Sequence, residues 1–174
     1  QALRLLQAGI DADAEFDPLT CDKTIRIAVG DVGETILLPR LLEKLSHLAP
    51  QMKVQALHVP RQSIARRLSL GEIDFALDIP LLANSQLRHC KLVSDANVCA
   101  VGRLQHYQAA FHMIDAVDLA VTAPLQLTGM YDCRIFPLPI EVPNLDLHLY
   151  WHVATDQAPI SQWLRQQVFP SFWQ

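Results

Sequence analysis

Residues 23–57 read KTIRIAVGDVGETILLPRLLEKLSHLAPQMKVQAL. Thr24 to Val29 is rich in β-branched residues, which favour a strand, and a glycine-rich turn interrupts the run directly afterwards. From Glu34 the leucines recur at helical spacing, until Pro50 ends the pattern because proline cannot continue a helix. Lys53 to Leu57 again resembles a strand. The stretch therefore predicts a strand–helix–strand unit, which is the building block of a parallel sheet.

A short polar loop, Gly30 to Gly33, joins the first predicted strand to the helix. Backbone N–H groups without helical partners and the helix dipole both attract anions at such a position. Asp31 lies inside this loop and is itself acidic, and an N-cap role for its side chain is equally open. The loop is a candidate ligand-binding position on these grounds.

The following residues continue the alternation of helices and strands. Ser63 is a plausible N-cap for a helix through Leu70, and Gly71 is the expected end of that helix. Ile73 to Ile79 is mostly apolar, as expected for a strand buried on both faces. The remaining predicted elements are strands at 87–93, 97–101, 118–122 and 145–153, helices at 104–114, 124–129 and 159–169, and a strand or extended segment at 133–138.

Composition describes a globular chain. The 174 residues are 51% hydrophobic and 18% charged, with a net charge of −4. No basic block predicts a nucleic-acid surface on this segment, and no apolar run approaches the roughly 20 residues of a membrane span. No signal peptide is visible. The sequence does not begin with Met, which suggests a fragment.

The cysteines and histidines do not predict a metal site or another cofactor. None of the four cysteines forms a Cys-x-x-Cys pair, which favours free, mostly buried thiols in a reducing cytoplasm over disulfides or metal ligands. His148 and His152 would converge on a metal only on a helix, whereas their surroundings resemble a strand. The sequence also lacks the G-x-S-x-G, G-x-x-x-x-G-K and G-x-G-x-x-G motifs, so no enzyme is predicted.

Several short motifs follow one another along the chain: FDP at 16–18, KTIRIA at 23–28, LLPRLL at 37–42, LGEIDFAL at 70–77, DLAVTAP at 118–124 and LHLYWH at 147–152. In this order they resemble the effector-binding domain of LysR-type transcriptional regulators. The ending is closest to the branch that responds to aromatic compounds or nodulation signals. The resemblance implies a two-lobed α/β domain of the type 2 periplasmic-binding-protein kind.

The resemblance also implies that the second lobe is largely missing between Arg103 and Leu104. About sixty to seventy residues are expected there for a complete lobe. A gap between two ordered segments and a true deletion are both open. The resulting division has four parts: the end of a linker helix with a hinge at 1–22, the first part of the first lobe at 23–101, the crossover with a second-lobe remnant at 102–132, and the return to the first lobe at 133–174.

For the binding site, the resemblance implies a small effector, aromatic or a carboxylate, held in the cleft between the lobes. The predicted first-lobe wall comprises Gly30, Asp31, Val32, Gly33, Arg61, Gln62 and Ser63, and the second-lobe wall comprises His106, Tyr107 and Thr122. Asp31 argues against a carboxylate effector unless Arg61 supplies the counter-charge. Ordinary surface positions are the alternative for Arg61, His106 and Tyr107.

The functional prediction is a cytoplasmic, ligand-sensing regulatory domain. The resemblance implies that DNA is bound by a winged helix-turn-helix N-terminal to Gln1, and that the protein is a homodimer or homotetramer. The helix from Glu34 to Leu48 would take part in the dimer interface, with Ile36 or Leu37 as contacts, although burial of both against the sheet is equally open. The alternative function is a periplasmic-type solute-binding protein.

Overall fold

The computed structural model describes residues 16–98, 121–130 and 134–170. Its strands are β1 (Thr24–Ala28), β2 (Lys53–Leu57), β3 (Phe75–Asp78), β4 (Leu87–Asp95), β5 (Asn97–Val98), β6 (Ala123–Pro124) and β7 (Leu145–His152). Five of them form one sheet in the order β2-β1-β3-β7-β4, and β5 pairs with β6 in a separate two-stranded sheet. β1 runs parallel to β2 and β3, whereas β7 is antiparallel to both of its neighbours.

The helices connect these strands as the sequence pattern predicts. A π-helical turn (Gly33–Leu37) leads into α1 (Leu38–Leu48), a 3-10 turn (Arg61–Ser63) leads into α2 (Ile64–Leu70), and α3 is Leu125–Thr128. A 3-10 turn (Val153–Thr155) precedes α4 (Pro159–Trp163), and a π-helical turn (Leu164–Val168) extends α4. The predicted β-α-β-α-β order of the first part is therefore confirmed.

Pro39 explains why the first helix opens with a π-helical turn. Proline has no backbone N–H and so cannot donate the helical bond expected at its position. Immediately before it, the Leu38 N–H bonds five residues back to the carbonyl of Gly33. This wider turn lets the helix continue past Pro39 without a break.

Apolar side chains cover both faces of the main sheet. On one face Leu41 of α1 and Leu164 after α4 pack with Leu149 of β7. On the other face Ile64 and Leu68 of α2 pack in a second cluster with Tyr150 of β7. The sheet is consequently sandwiched between helices, and its central strands are buried on both sides, as the sequence predicted for β3.

Asp74 and Gly71 of the LGEIDFAL motif connect α2 to the sheet. The Asp74 carboxylate accepts a hydrogen bond from the Arg26 backbone N–H at 2.8 Å and two from its guanidinium at 3.0 and 3.2 Å. Gly71 ends α2 in the left-handed conformation with φ 59°, so the predicted helix end is confirmed. The LGEIDFAL motif therefore acts structurally, by directing the chain from α2 back to the sheet beside β1.

Three expectations about individual side chains are wrong. Ser63 occupies the N-cap position of α2, but its side chain makes no capping hydrogen bond, because its backbone is already helical (φ −96°, ψ −11°) rather than extended as in capping residues. Ile36 and Leu37 are both buried, and Leu37 packs in the core cluster on the sheet, as the alternative held, whereas Leu42 is exposed. Cys90 is exposed rather than buried, because it lies on the edge strand β4.

Some expectations lie outside the described residues. They include the helices at 1–8 and 104–114, the junction of Arg103 with Leu104, and most of the strand at 118–122. Val121 and Thr122 of that strand are described and are not in a strand, and β6 begins directly after them. No helix within the described ranges has the length and apolarity needed to cross a membrane.

Candidate functional site

The carboxyl ends of β1, β2 and β3 open into a cavity of ≈ 360 Å³. Its apolar lining comes from several elements and includes Val29, Val59, Ile64, Leu77, Leu145 and Leu147. Three polar side chains, Asp31, His58 and Asp78, complete the lining around the loop Gly30–Gly33. Ligands in open α/β sheets bind at this edge, so the cavity is a candidate binding site.

The loop Gly30–Gly33 is fixed from both ends. Before it, the Val29 N–H bonds to the Leu57 carbonyl at 3.1 Å, which ties the end of β1 to β2. After it, the Glu34 N–H bonds to the Gly30 carbonyl at 2.9 Å, so the helix begins at Asp31. Asp31 therefore lies in the first helical turn and is not the N-cap, and its carboxylate stabilises the positive end of the helix dipole.

The two glycines of this loop have different roles. A Cβ atom at Gly33 would lie 3.0 Å from Leu77 Cδ2 and 3.3 Å from Val29 Cβ, which is closer than carbon atoms pack without strain. A Cβ atom at Gly30 would meet no atom within 4 Å. Gly33 thus lets the helix start approach the sheet, whereas Gly30, which lines the cavity, has open space for a side chain.

Asp78 and Arg61 form an ion pair at the edge of the cavity. Arg61 Nη1 lies 3.6 Å from Asp78 Oδ1, and its Nη2 donates to the carbonyls of Ile79, at 3.1 Å, and Pro80. Burial raises the pKa of Asp78 above its ordinary value, while the nearby Arg61 charge and the Ile79 N–H oppose that rise. The guanidinium is therefore engaged with the end of β3 and the residues that follow it.

The structure brings together only part of the predicted site. Gly30, Asp31, Val32 and Gly33 line the cavity. Arg61 reaches it only through Asp78, and Gln62 and Ser63 are absent from its lining because the 3-10 turn presents Ile64 there instead. Thr122 is exposed beside β6 and is not in the lining, and His106 and Tyr107 lie outside the described residues.

Sequence reasoning missed ten of the fourteen lining residues, and four of them show which signals existed. Asp78 is the last residue of an apolar strand that ends at the ligand-binding edge, and this position was a usable signal. His58 similarly follows β2. Leu145 and Leu147 come from β7, which reaches the cavity only through the order of strands in the sheet. Within the described ranges, no three His, Cys, Asp or Glu side chains converge as metal ligands would.

Known proteins resemble the chain over most of its length. It is 23% identical over 226 aligned residues to the HTH-type transcriptional activator NahR of Pseudomonas putida, covering 98% of this chain and 74% of NahR. It is 22% identical to the HTH-type transcriptional activator NagR of a Ralstonia species, covering 95% of this chain and 72% of NagR. A solved structure of a probable transcriptional regulator from Pseudomonas aeruginosa superposes with a TM-score of 0.78 at 22% identity, covering 94% of this chain and 71% of that one.

The NahR alignment also bears on the length of the chain. It spans 226 positions, whereas the chain has 174 residues, so at least 52 positions of NahR (the difference) have no counterpart here. This deficit is close in size to the segment expected to be missing from the second lobe.

The family comparison confirms the resemblance seen in the motifs. The model of the LysR substrate binding domain matches residues 22–120, which is more than half of the chain. The relatives and structural neighbours are transcriptional regulators, so the solute-binding alternative is not favoured. The chain therefore belongs to the LysR substrate binding domain family, the effector-binding part of LysR-type transcriptional regulators.

Proposed function

We propose that the cavity beside Gly30–Gly33 is the first-lobe wall of an effector-binding cleft. The chain senses a small molecule there, in the cytoplasm, and relays its presence to a winged helix-turn-helix that precedes Gln1 in the full protein. The observation that carries this proposal is the cavity itself, which lies at the carboxyl ends of three neighbouring strands. The family of DNA-binding regulators supplies the context for the relay.

The cavity walls favour a ligand with a compact apolar body. The volume of ≈ 360 Å³ lies in the lower part of the range found for small-molecule sites. Leu145, Leu147, Val29 and Ile79 contribute apolar surface to the lining. These walls accommodate a single aromatic ring, as expected for the aromatic-responsive branch.

The relay is a shift in population between arrangements of the two lobes. The residue after β4 bonds to the start of α3, because the Leu125 N–H donates to the Ala96 carbonyl at 2.9 Å. This contact ties the chain leaving the main sheet to α3, which lies within the proposed crossover division at 102–132. A ligand that contacts both lobes would bind more tightly to one arrangement of this junction than to the other. This difference in affinity couples ligand binding to the position of the distant DNA-binding domains.

We also propose that the full protein is a homodimer or homotetramer through α1. Two leucines of this helix are exposed, Leu42 at 52% and Leu48 at 38%. They replace Ile36 and Leu37 as the apolar contacts available to a second subunit. Leu42, the more exposed of the two, is the apolar side chain proposed to contact the partner.

A cavity-blocking substitution tests the proposed site. Gly30→Leu places a side chain in open space, and Gly129→Leu is a matched control at an exposed position outside the cavity, where an added Cβ would meet its nearest atom at 3.7 Å. A thermal-shift screen of ring-sized compounds should find ligands that stabilise the wild-type chain and Gly129→Leu alike. The gain is about 2.7 kcal/mol at a hundredfold excess over Kd.

The same ligands should not stabilise Gly30→Leu. If every stabilising compound shifts Gly30→Leu as much as the wild-type chain, the cavity is not the binding site and the proposal fails.

A further inference from the structure

Two histidines meet on the surface of the main sheet, outside the cavity lining. His89 lies on the edge strand β4 and His148 on β7, 59 positions apart in sequence. Their Nδ1 atoms are 3.1 Å apart. His89 is exposed, His148 is partly buried, and neither lines the cavity. The strand order therefore creates a pair of facing nitrogen atoms that the spacing of the histidines in sequence does not reveal.

The ring of Tyr150 supports both imidazoles. Its centroid lies 5.4 Å from that of His89 and 6.0 Å from that of His148, with interplanar angles of 31° and 26°. The Tyr150 hydroxyl is itself fixed, because it accepts a hydrogen bond of 2.8 Å from the Leu81 N–H. All three rings stand on two paired antiparallel strands. The pair is consequently preorganised by the sheet, as side chains on a flexible loop would not be.

The separation of the two nitrogens matches the coordination sphere of a transition-metal ion. Histidine nitrogens bind such ions at about 2.0–2.1 Å. Two ligands at that distance are about 2.9 Å apart in square or octahedral geometry and about 3.3 Å apart in a tetrahedron. The observed 3.1 Å lies between these values. Small rotations of the rings are therefore enough for both nitrogens to bind one ion.

The charges beside the pair do not oppose a cation. The Lys91 ammonium lies 3.0 Å from the Asp146 carboxylate, which also accepts a hydrogen bond of 2.6 Å from the Ser94 hydroxyl. These two opposite charges offset each other next to His148. Partial burial and neighbouring His89 hold the pKa of His148 below its ordinary value of 6.5, against the effect of Asp146. The His148 imidazole is therefore mostly neutral at pH 7, as a metal ligand has to be.

We propose that His89 and His148 form a binding site for a divalent metal ion of the Ni²⁺, Cu²⁺ and Zn²⁺ class, with both Nδ1 atoms as ligands and water in the remaining positions. Imidazole nitrogen suits these ions, whereas Mg²⁺ and Ca²⁺ prefer oxygen ligands. In the metal-free pair of neutral rings, one Nδ1–H donates to the other Nδ1. On binding, that ring carries its hydrogen on Nε2 instead, so both Nδ1 lone pairs face the ion. The ion joins the edge strand β4 to β7.

Isothermal titration of the chain, purified without a histidine tag, tests this site with Ni²⁺ as the probe. We expect saturable binding of Ni²⁺ at pH 7.5 and no binding of Mg²⁺. His89→Gln and His148→Gln should each raise the Kd of Ni²⁺ at least about tenfold, because each removes one of the two protein ligands. Binding should weaken as the pH falls below about 6.5, since protons then compete for the imidazole nitrogens.

Two further variants serve as matched controls. His47→Gln removes an exposed histidine of α1, and Cys90→Ser removes the exposed thiol that side-chain alternation places on the opposite face of β4. Both should bind Ni²⁺ as the wild-type chain does. Thermal unfolding without metal shows that the histidine variants are folded. Added Ni²⁺ should then raise the Tm of the wild-type chain and of both controls, but not that of His89→Gln.

Two results would overturn the metal site. One is the absence of saturable Ni²⁺ binding to the folded wild-type chain at millimolar concentration, which would leave a hydrogen-bonded histidine pair. The other is Ni²⁺ binding that is as tight in His89→Gln and His148→Gln as in the wild-type chain, which would assign the ion to other side chains. Neither result bears on the effector cavity, because neither histidine lines it.

Discussion

The carboxylate of Asp95 accepts a hydrogen bond of 3.0 Å from the backbone N–H of Gln126, across 31 positions of sequence. Asp95 ends β4 in the main sheet and is 9% exposed, whereas Gln126 lies in the first turn of α3. Pro124 at the N-cap of α3 makes no side-chain cap, so Asp95 supplies the acceptor from another element. The Asp95 carboxylate thus joins the end of β4 to α3, beside the bond between the Leu125 N–H and the Ala96 carbonyl.

Replacing Asp95 should weaken this junction. Asp95→Ala leaves the Gln126 N–H without its acceptor, and we expect a loss of about 1–2 kcal/mol in the free energy of unfolding. Asp95→Asn keeps an oxygen acceptor and should lose less. Urea denaturation of the three proteins measures the difference, and equal stability of wild type and Asp95→Ala would show that the bond contributes nothing.

The loop glycines provide a second, paired prediction. Gly33→Ala forces a Cβ atom to within 3.0 Å of Leu77, and overpacking of this kind costs about 1–3 kcal/mol. Gly30→Ala is the matched control, because its Cβ has open space. Thermal unfolding should therefore separate the two variants by several degrees. A larger loss for Gly30→Ala than for Gly33→Ala would contradict the packing described at the helix start.

The pH dependence of stability should include a contribution from His148. Partial burial, followed by the charge of neighbouring His89, holds the pKa of His148 below its ordinary value of 6.5, against the opposing effect of Asp146. The unfolded chain therefore binds the His148 proton more readily than the folded chain does. The contribution of neutral His148 to the free energy of unfolding is present above about pH 6.5 and is lost as the pH falls through the folded-state pKa.

His148→Gln should flatten the fall in unfolding free energy between pH 7 and pH 5. Above pH 7.5 the variant and the wild type should differ by an amount that does not depend on pH. Parallel curves over the whole range would exclude this role for His148.

The exposed leucine of α1 gives a prediction about assembly. Leu42→Glu places a charge on the surface proposed for subunit contact, and we expect association to weaken by at least about tenfold. Leu82→Glu is the matched control, since Leu82 lies outside any helix and is 95% exposed. Light scattering coupled to size exclusion reports the mass of each. If Leu42→Glu associates as strongly as Leu82→Glu does, the subunit interface does not include Leu42.

Local chemistry made much of the fold predictable. Gly71 could be assigned because a glycine after an apolar helical pattern marks a left-handed helix end, and β7 could be assigned from its alternation of side chains. The π-helical turn before Pro39 was not anticipated, because proline near a helix start is ordinarily tolerated without distortion.

The site was less predictable than the fold. Gly30–Gly33 could be assigned, since a loop after a strand and before a helix is recognisable from sequence. Leu145 and Leu147 could not, because their place in the cavity depends on β7 lying between β3 and β4. Arg61 is a cation in the loop after β2, which the sequence shows. That its guanidinium already contacts Asp78 and two backbone carbonyls is visible only in the structure.

The most direct test of the cavity is a nuclear magnetic resonance titration of the ¹⁵N-labelled chain with a ring-sized compound that stabilises the wild-type chain in the thermal-shift screen. We expect the backbone amide signals of Gly30–Gly33 and Asp78–Ile79 to shift together and to saturate with one Kd, while those of the distant turn after α2 at Gly71 stay fixed. Saturable shifts confined to residues outside the cavity lining, with Gly30–Gly33 unmoved, would contradict the account.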